Sequence, residues 1–470
     1  MNKFSRDFVF GTGTSAYQIE GAAFEDGKTA SIWDTYCSIS GNVFRDQSGD
    51  IACEHYYRYK EDVQLLKNLG VDSYRFSVSW PRIFPERGEV NKKGIKFYVD
   101  LVDELIRNNI KPMVTLYHWD LPQWAYDLGG WLNRDIAVWF EEYARVMFEA
   151  LGEKVTLWAT HNEPFCVSIL GYLKGLHAPG HKDLKEALTA SHNIFLSHGA
   201  AVKAFRSFNF KDSKIGITLN LSPGYPLEQT SENIELAKRA DGFVDRWFMD
   251  PLFKGSYPVD MVKIYESKIG KLDFIKTGDL EIITEPMDFL GVNFYARNMV
   301  KPSQEGLLGY VGVGEKMPQT QEEWDTYPEI LFKLLMNIKN EYTSLPIYIT
   351  ENGLALEGYK DDAGDDEKFG TIITSANDID FVAEDGRVHD EARILYVYNC
   401  LKQCLKFIES GGELRGYYLW SLMDNFEWAL GYSKRFGITY VNFETQERII
   451  KDSGYWYKKV IESRTLQPKL

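Results

Sequence analysis

Residues 345–353 read L-P-I-Y-I-T-E-N-G and have the character of a short buried strand that ends in a turn. A proline opens the segment, apolar and aromatic residues alternate through it, and Asn352-Gly353 breaks it. Glu351 is therefore expected at the C-terminal end of a strand, where the strand becomes a loop. A carboxylate in that position packs against apolar residues on one side and faces open space on the other.

A second segment, residues 155–164, reads V-T-L-W-A-T-H-N-E-P and has the same form. Glu163 stands at its end, directly before Pro164. Two glutamates at the ends of two buried strands are the groups that acid/base chemistry on glycosides requires. Either glutamate alone is equally well explained as a solvated carboxylate in a turn, but the matched settings of the two favour catalysis.

The composition limits the class of protein. The 470 residues allow about three domains at roughly 100–200 residues each. The chain contains 12 Trp, 28 Tyr and 28 Phe, an aromatic content that suits stacking on sugar rings or bases. The net charge of −15 argues against nucleic acid or an anionic membrane as a partner.

The cysteines and the apolar runs predict a soluble cytoplasmic protein without a cofactor or metal. Five cysteines are an odd number, and neither a disulfide framework nor a metal-binding spacing is present in the sequence. The first residues lack the uninterrupted apolar stretch of a signal peptide, and no apolar run is long enough to span a bilayer.

Strand and helix patterns alternate along the whole chain without a break in composition. Strands are predicted at residues 8–16, 71–77, 111–118, 156–163, 214–222, 287–295, 347–351 and 414–420. Helices are predicted at residues 54–69, 95–108, 135–151, 184–208, 327–342 and 391–409, and another helical stretch begins at 243–248. This pattern favours a single α/β domain that covers residues 1–470, rather than two doubly wound domains. The expected fold is a closed (β/α)8 TIM barrel with extended loops at its C-terminal face.

One motif suggests a different function, the binding of a dinucleotide. Residues 11–16 read G-T-G-T-S-A after a predicted strand and formally match a dinucleotide-binding fingerprint. That function also needs a helix that opens at the second glycine and a strand that ends on an acidic residue about twenty positions later. Gly21 and Gly27 interrupt the pattern, which disfavours nucleotide binding.

The predicted strand ends carry polar and aromatic side chains that suit a sugar. These include Gln18, Glu20, His118, Trp119, Asp120, Asn162, Asn293, Tyr295, Trp420, Asp424 and Asn425. Amides and carboxylates hold hydroxyl groups in fixed directions, and an indole covers the apolar face of a pyranose. Taken alone, His118 is more simply a structural histidine and Trp420 a core residue. Metal binding by His118 and Asp120 is disfavoured because no third ligand has a suitable spacing.

Six motifs in order span nearly the whole chain. They read S-A-Y-Q-I-E-G (15–21), Y-R-F-S-V-S-W-P-R-I-F-P (74–85), Y-H-W-D-L-P (117–122), N-E-P (162–164), T-E-N-G (350–353) and W-S-L-M-D-N-F-E-W (420–428). Each is weak alone, but the set is specific. In this set the chain resembles the family 1 glycoside hydrolases, the β-glucosidases.

The resemblance implies a retaining double displacement on a (β/α)8 barrel. Glu351 would be the nucleophile and Glu163 the general acid/base, while Arg75 and Tyr295 would contact the nucleophile. The substrate-binding set that the resemblance implies is Gln18, His118, Trp119, Asn162, Asn293, Glu427, Trp428 and Phe436, with Trp420 as the stacking platform and Trp324 as a wall of the leaving-group site. Arg75 is expected to keep the pKa of Glu351 low, and the charge of Glu351 is expected to raise that of Glu163.

The resemblance also bears on the substrate. Members that act on 6-phosphosugars usually lack F-E-W and carry a phosphate-binding Ser/Lys/Tyr set; here Glu427 is expected to repel a phosphate, although Ser433-Lys434-Arg435 leaves a 6-phospho-β-glucosidase open. The thioglucosidases have glutamine in place of the acid/base, whereas this chain has Glu163.

The expected function is therefore a retaining β-glucosidase that acts on terminal nonreducing glucosyl residues, with galactosyl and fucosyl left open. A catalytically silent sugar-binding barrel is the alternative from another class. The expected partners are small-molecule β-glycosides or short oligosaccharides, without nucleic acid or membrane, and a homo-oligomer is left open.

Two features depart from the family pattern. His161 precedes Asn162 where an aromatic or aliphatic residue is usual, and it is either a packing residue or an electrostatic perturbation of the acid/base. The acidic segment 357–385 is longer than the usual loop. We expect its residues 359–371 to leave the barrel at the catalytic face and to be loosely packed, either without effect on chemistry or as a barrier to acidic leaving groups.

Overall fold

A closed barrel of eight parallel strands lies at the centre of the computed structural model, which describes residues 3–312, 328–357 and 381–467. The strands are β1 Val9–Gly13, β2 Ser73–Ser77, β3 Lys111–Tyr117, β4 Leu157–Asn162, β5 Lys214–Asn220, β6 Phe289–Asn293, β7 Ile347–Asn352 and β8 Leu414–Trp420. Each strand pairs with its neighbours in sequence, and β1 pairs with β8 to close the barrel. The predicted (β/α)8 barrel is confirmed.

A principal helix follows each strand and packs on the outside of the barrel. These helices are α1 His55–Leu69, α2 Lys92–Arg107, α3 Ile136–Leu151, α4 Leu184–Ser207, α5 Trp247–Lys254, α6 Glu329–Glu341, α7 Glu391–Glu409 and α8 Asp452–Ser463. In α2, Phe97, Leu101 and Leu105 recur every four residues and are buried, which gives the helix one apolar face. Asp183 caps α4, because its side chain accepts a hydrogen bond from the backbone N–H of Glu186.

The strand predictions located every barrel strand but ran past several ends. The predicted strand 8–16 stops at Gly13, and a short helix begins at Ala16. The reason is that Thr14 and Ser15 are buried like strand residues, although they already belong to the turn. Gly11 is part of β1, and a Cβ atom there would lie 2.4 Å from the ring of Tyr418, so this glycine allows close packing inside the barrel.

Four side chains fill the lower part of the barrel. Met113, Ala159, Phe289 and Tyr418 form a buried cluster that is separate from the larger core between the barrel and its helices. Because this layer closes the N-terminal half of the barrel, a ligand can enter only at the C-terminal ends of the strands.

The sequence analysis missed the structure inserted around β6. The helices Ser231–Asp241 and Val259–Ile269 lie between β5 and β6, and a small sheet joins Gly224–Pro226, Asn298–Pro302 and Tyr310–Gly312. Two of these strands have three residues, too few to show an alternating pattern, and the third, Asn298–Pro302, reads N-M-V-K-P without alternation.

Some expectations fall outside the described residues. Trp324 and residues 358–380 of the acidic segment lie there, so their predictions stay predictions. All five cysteines are described, and each is buried and unpaired with another cysteine. In the described ranges no helix has the length and apolar character to cross a membrane.

Candidate active site

Irregularities in two strands turn side chains into the mouth of the barrel. The register between β4 and β5 shifts between Ala159 and Asn162, and the register between β7 and β6 shifts between Ile349 and Glu351. Such bulges re-aim side chains and are common beside active sites. Here they bring Asn162 and Glu351 to the same buried guanidinium, that of Arg75.

Glu163 follows β4 with a left-handed backbone conformation, φ = +50°, before Pro164. Its Oε1 accepts a hydrogen bond of 2.7 Å from Nδ2 of Asn293, and its Oε2 accepts one of 3.0 Å from Sγ of Cys166. Burial first, and then the negative charge of Glu351, raise the pKa of Glu163 to about 7. The expected upward shift is confirmed, but its expected main cause, the charge of Glu351, is only the second contribution.

Glu351 is held by two donors. Nη1 of Arg75 lies 2.7 Å from Oε1 of Glu351, and the hydroxyl of Tyr295 donates to Oε2 at 2.8 Å. Burial raises the pKa of Tyr295 well above its ordinary value, so this hydroxyl keeps its proton. The expected low pKa of Glu351 is wrong: burial raises it above the ordinary value, because the loss of solvent outweighs the stabilisation by Arg75, Tyr295 and Asn293.

The guanidinium of Arg75 also orients the side-chain amide of Asn162. Nη2 of Arg75 donates to Oδ1 of Asn162 at 2.6 Å, so Nδ2 of Asn162 must face Nε2 of His118, 3.0 Å away. Burial, with Arg75 close by, lowers the pKa of His118 well below its ordinary value, and the ring stays neutral. Nδ1 of His118 is buried without a hydrogen-bond partner among the described residues.

A cavity of about 250 Å³ opens above these groups. Its lining consists of His118, Trp119, Glu163, Tyr295, Glu351, Gly353, Ala355, Trp420, Glu427, Trp428 and Phe436. The predicted residues Gln18, Arg75, Asn162 and Asn293 lie behind this lining and hold it by hydrogen bonds. The predicted set therefore converges on one place, apart from Trp324, which is outside the described residues.

Gln18 and Glu427 form the polar end of the cavity. Oε1 of Gln18 accepts from the hydroxyl of Ser15 at 2.6 Å, which directs its Nε2 towards the carbonyl of Phe426 at 2.7 Å and Glu427 at 3.3 Å. Burial, and then the charges of Glu351 and Glu163, raise the pKa of Glu427 to about 8. The expected charge repulsion of a phosphate by Glu427 is therefore weak at neutral pH, because the carboxyl is largely protonated.

Aromatic rings form the walls. The ring of His118 is stacked on the indoles of Trp420 and Trp428. The ring centroids are 5.8 Å and 5.9 Å apart, respectively. Trp119 packs on Trp428 at 4.5 Å and donates from its indole N–H to the carbonyl of Asn162. Such faces match the apolar face of a pyranose.

The triplet Ser433-Lys434-Arg435 is buried and does not belong to the lining of the cavity. Nη1 of Arg435 lies 2.6 Å from a carboxylate oxygen of Asp424, so its charge is balanced inside the fold. This placement removes the sequence observation that favoured a 6-phosphosugar.

His161 is a packing residue. It is fully buried, its Nε2 lies 2.8 Å from the hydroxyl of Ser197, and its ring stacks on Phe140 at 4.4 Å. Burial lowers its pKa well below the ordinary value, so it carries no charge that could perturb Glu163.

Four residues at the site were not among the predicted site residues. Gly353 and Ala355 line the cavity, while Cys166 and Thr350 make hydrogen bonds to Glu163 and Asn293. Cys166 stands three positions after Glu163, one helical turn, and that spacing could have indicated the contact. Thr350 carried no such signal, because it reads as an ordinary strand residue.

Comparison with known proteins identifies the family of this chain. Residues 1–466 match the model of the family described as Glycosyl hydrolase family 1. The chain is 48% identical to Beta-glucosidase A of Acetivibrio thermocellus over 464 residues, which cover 98% of each chain.

Two solved structures are similar along their length. The GH1 beta-glucosidase of Exiguobacterium antarcticum B7 is 48% identical, with a TM-score of 0.90 over 98% of this chain and 99% of that one. The family 1 β-glucosidase of Thermotoga maritima is 42% identical, with a TM-score of 0.89 over 99% of each. With its barrel and paired glutamates, the chain belongs to glycosyl hydrolase family 1.

Proposed function

We propose that this protein is a retaining β-glucosidase that removes terminal nonreducing β-D-glucosyl residues by double displacement. The observation that carries the proposal is the different environment of its two carboxyl groups. Glu351 lies between Arg75 and Tyr295, both of which donate to it, whereas the pKa of Glu163 is raised to about 7. One carboxyl is thus prepared to attack as an anion and the other to deliver a proton.

In the first step, a carboxylate oxygen of Glu351 attacks the anomeric carbon and forms an ester as the glycosidic bond breaks. Glu163 gives its proton to the departing oxygen, so that the leaving group departs as a neutral alcohol. Arg75 and Tyr295 hold the carboxylate of Glu351 in place by hydrogen bonds to separate oxygens.

In the second step, a water molecule attacks the ester and Glu163 takes its proton. Formation of the ester removes the negative charge of Glu351, which is one of the causes that raise the pKa of Glu163. Glu163 is then more acidic than in the free enzyme and can act as the base. Glucose leaves with the β configuration that the substrate had.

We assign the sugar to the cavity between the aromatic walls and the polar end. Trp420 stacks on the pyranose, and the hydroxyl groups are bound by Gln18, His118, Asn162, Glu427 and Trp428. The presence of His118, Trp420, Glu427 and Trp428 in the lining of the cavity supports this assignment. Trp119, Asn293 and Phe436 complete the pocket, and Trp324 stays the predicted wall of the leaving-group site.

Two further parts of the proposal concern the whole chain. We take residues 1–470 as one catalytic domain, which is supported by the family match over residues 1–466. We place the protein in the cytoplasm, which is supported by five cysteines without a disulfide.

Hydrolysis of nitrophenyl glycosides tests the proposal. We expect turnover of the β-glucoside, and the relative rates on β-galactoside and β-fucoside define the tolerance of the pocket. Affinity for glucose without turnover would instead identify a silent sugar-binding barrel. Turnover only of the 6-phospho-β-glucoside would mean that the buried Ser433-Lys434-Arg435 triplet does not exclude a phosphosugar.

A further inference from the structure

Asn293 contacts the carboxyl group of Glu163, and the structure shows what orients its amide. Nδ2 of Asn293 donates to Oε1 of Glu163 at 2.7 Å and to Oδ1 of Asn162 at 3.1 Å. Oδ1 of Asn293 accepts a hydrogen bond of 2.7 Å from the hydroxyl of Thr350. All three contacts are buried, and Thr350 directly precedes Glu351 in β7.

The neighbouring groups allow one orientation of this amide. Arg75 has only donors, so Oδ1 of Asn162 must face it, and Asn293 must present its NH2 group to that same oxygen. The hydroxyl of Thr350 then donates to the remaining amide oxygen.

This orientation distinguishes the two oxygens of Glu163. An amide NH2 group donates but cannot accept a hydrogen bond, so Oε1 cannot direct a proton towards Asn293. Oε2 lies 3.0 Å from Sγ of Cys166, and a thiol can both donate and accept. Burial raises the pKa of Cys166 well above its ordinary value, so the sulfur remains a thiol.

We propose that Oε2 of Glu163 is the oxygen that carries the catalytic proton, and that Thr350 is a positioning residue that enforces this choice through the amide of Asn293. The inference rests on the proposed acid/base role of Glu163. During the first step the proton passes from Oε2 to the glycosidic oxygen, and in the second step a proton of water returns to Oε2.

Thr350→Val removes the hydroxyl and keeps a β-branched side chain suited to a strand. The oxygen of Asn293 then loses its donor. The amide keeps its orientation through Asn162 but is held from one side only, so its bond to Oε1 of Glu163 weakens. Because that bond favours the charged form of Glu163, its loss should raise the pKa of Glu163 and disturb proton delivery.

The chain offers a matched control. Thr218 on β5 is as fully buried as Thr350, and a Cβ atom at Gly291 would meet the hydroxyl oxygens of both threonines. The Oγ1 atom of Thr218 has no hydrogen-bond partner among the described residues. Thr218→Val therefore removes a comparable hydroxyl without affecting Asn293, while Thr350→Ser restores the donor.

Two measurements test the inference. The first is a ¹³C NMR titration of the carboxyl of Glu163, assigned by the signal that disappears in Glu163→Gln; it needs no turnover. We expect Thr350→Val to move the titration to higher pH, and Thr350→Ser and Thr218→Val to follow the wild type. The second is the pH profile of kcat/KM on a phenyl and a dinitrophenyl β-glucoside. Thr350→Val should lower kcat/KM on the phenyl glucoside about tenfold, since acid catalysis as a whole contributes about 10²–10⁴-fold.

Activity on the dinitrophenyl glucoside, whose leaving group needs no proton, should fall less. Any decrease there reports on Glu351, whose charged form the amide of Asn293 also stabilises. Identical titrations and profiles for Thr350→Val and Thr218→Val would overturn the inference. If Thr350→Val does not fold, Thr350→Ala removes the same hydroxyl and applies the same test. A wild type that hydrolyses no β-glycoside contradicts the proposed function instead, and the titration then still shows whether Thr350 controls the carboxyl of Glu163.

Discussion

Nη1 of Arg75 lies 2.7 Å from Oε1 of Glu351, and this ion pair is buried at the end of the barrel. The guanidinium also donates through Nη1 to the carbonyl of Thr350 and through Nη2 to Asn162. One side chain thus orients the attacking carboxylate and the amide beside the acid/base.

Arg75→Lys keeps the charge but cannot span the same acceptors, because an ammonium lacks the fixed fork of a guanidinium. We expect kcat to fall on the order of 10²-fold, the size of effect that a misplaced catalytic group can cause. Circular dichroism and thermal unfolding serve as the control for folding. Wild-type kcat in a folded Arg75→Lys protein would show that the charge alone is sufficient.

Glu351→Ala removes the nucleophile. We expect hydrolysis to fall on the order of 10⁴-fold or more, as for loss of a nucleophile in other covalent mechanisms. Binding of glucose should persist, since Gln18, His118 and Trp420 are untouched, and calorimetry measures it. Near-normal turnover by this variant would remove Glu351 from the mechanism.

Glu163→Ala removes the acid/base. Rates on substrates with poor leaving groups should fall by about 10²–10⁴-fold, while formation of the ester from an activated substrate needs no proton. Azide, an anion that needs no base, should restore turnover of the activated substrate and yield the β-glycosyl azide. An α-azide would rule out retention.

The pH profile should follow the two carboxyl groups. Glu163 must be protonated, so kcat/KM on a poor leaving group should be lost as the pH rises through about 7, the raised pKa of Glu163. Glu351 must be ionised, so activity should also fall at low pH, at a value above the ordinary pKa of glutamate because burial raises that of Glu351.

The pKa of Glu427 is raised to about 8, which is close to the pKa of about 7 of Glu163. Glu163→Ala separates the two groups: with an activated substrate this variant should lack the alkaline limb near pH 7. A limb that persists but moves to lower pH would assign it to Glu427, because the charge of Glu163 no longer raises the pKa of Glu427 in this variant.

Sequence patterns predicted the barrel because each strand is a short apolar run between amphipathic helices. The ends of these elements were less accurate, since turn residues such as Thr14 are as buried as strand residues. The sheet around Asn298–Pro302 was missed because this strand reads N-M-V-K-P without alternation and its partners have only three residues each. One of these partners, Gly224–Pro226, lies far earlier in the chain.

The site was predicted through motifs rather than through geometry. Most residues that line the cavity lie in the quoted motifs, but Tyr295, Ala355 and Phe436 do not. Thr350 opens the motif T-E-N-G, yet the hydrogen bond of its hydroxyl to Asn293, which joins β7 to β6, cannot be read from the sequence. The electrostatics were also beyond the sequence: the charge of Arg75 suggested a low pKa for Glu351, but complete burial reverses that direction.

The stereochemistry of the first-formed product tests retention most directly. Proton NMR can follow the anomeric signals of glucose during rapid hydrolysis of a nitrophenyl β-glucoside, before mutarotation mixes the anomers. The double displacement through Glu351 predicts that β-glucose forms first and that α-glucose appears only later, by mutarotation. Initial formation of α-glucose would contradict the account, because it requires direct attack of water with inversion.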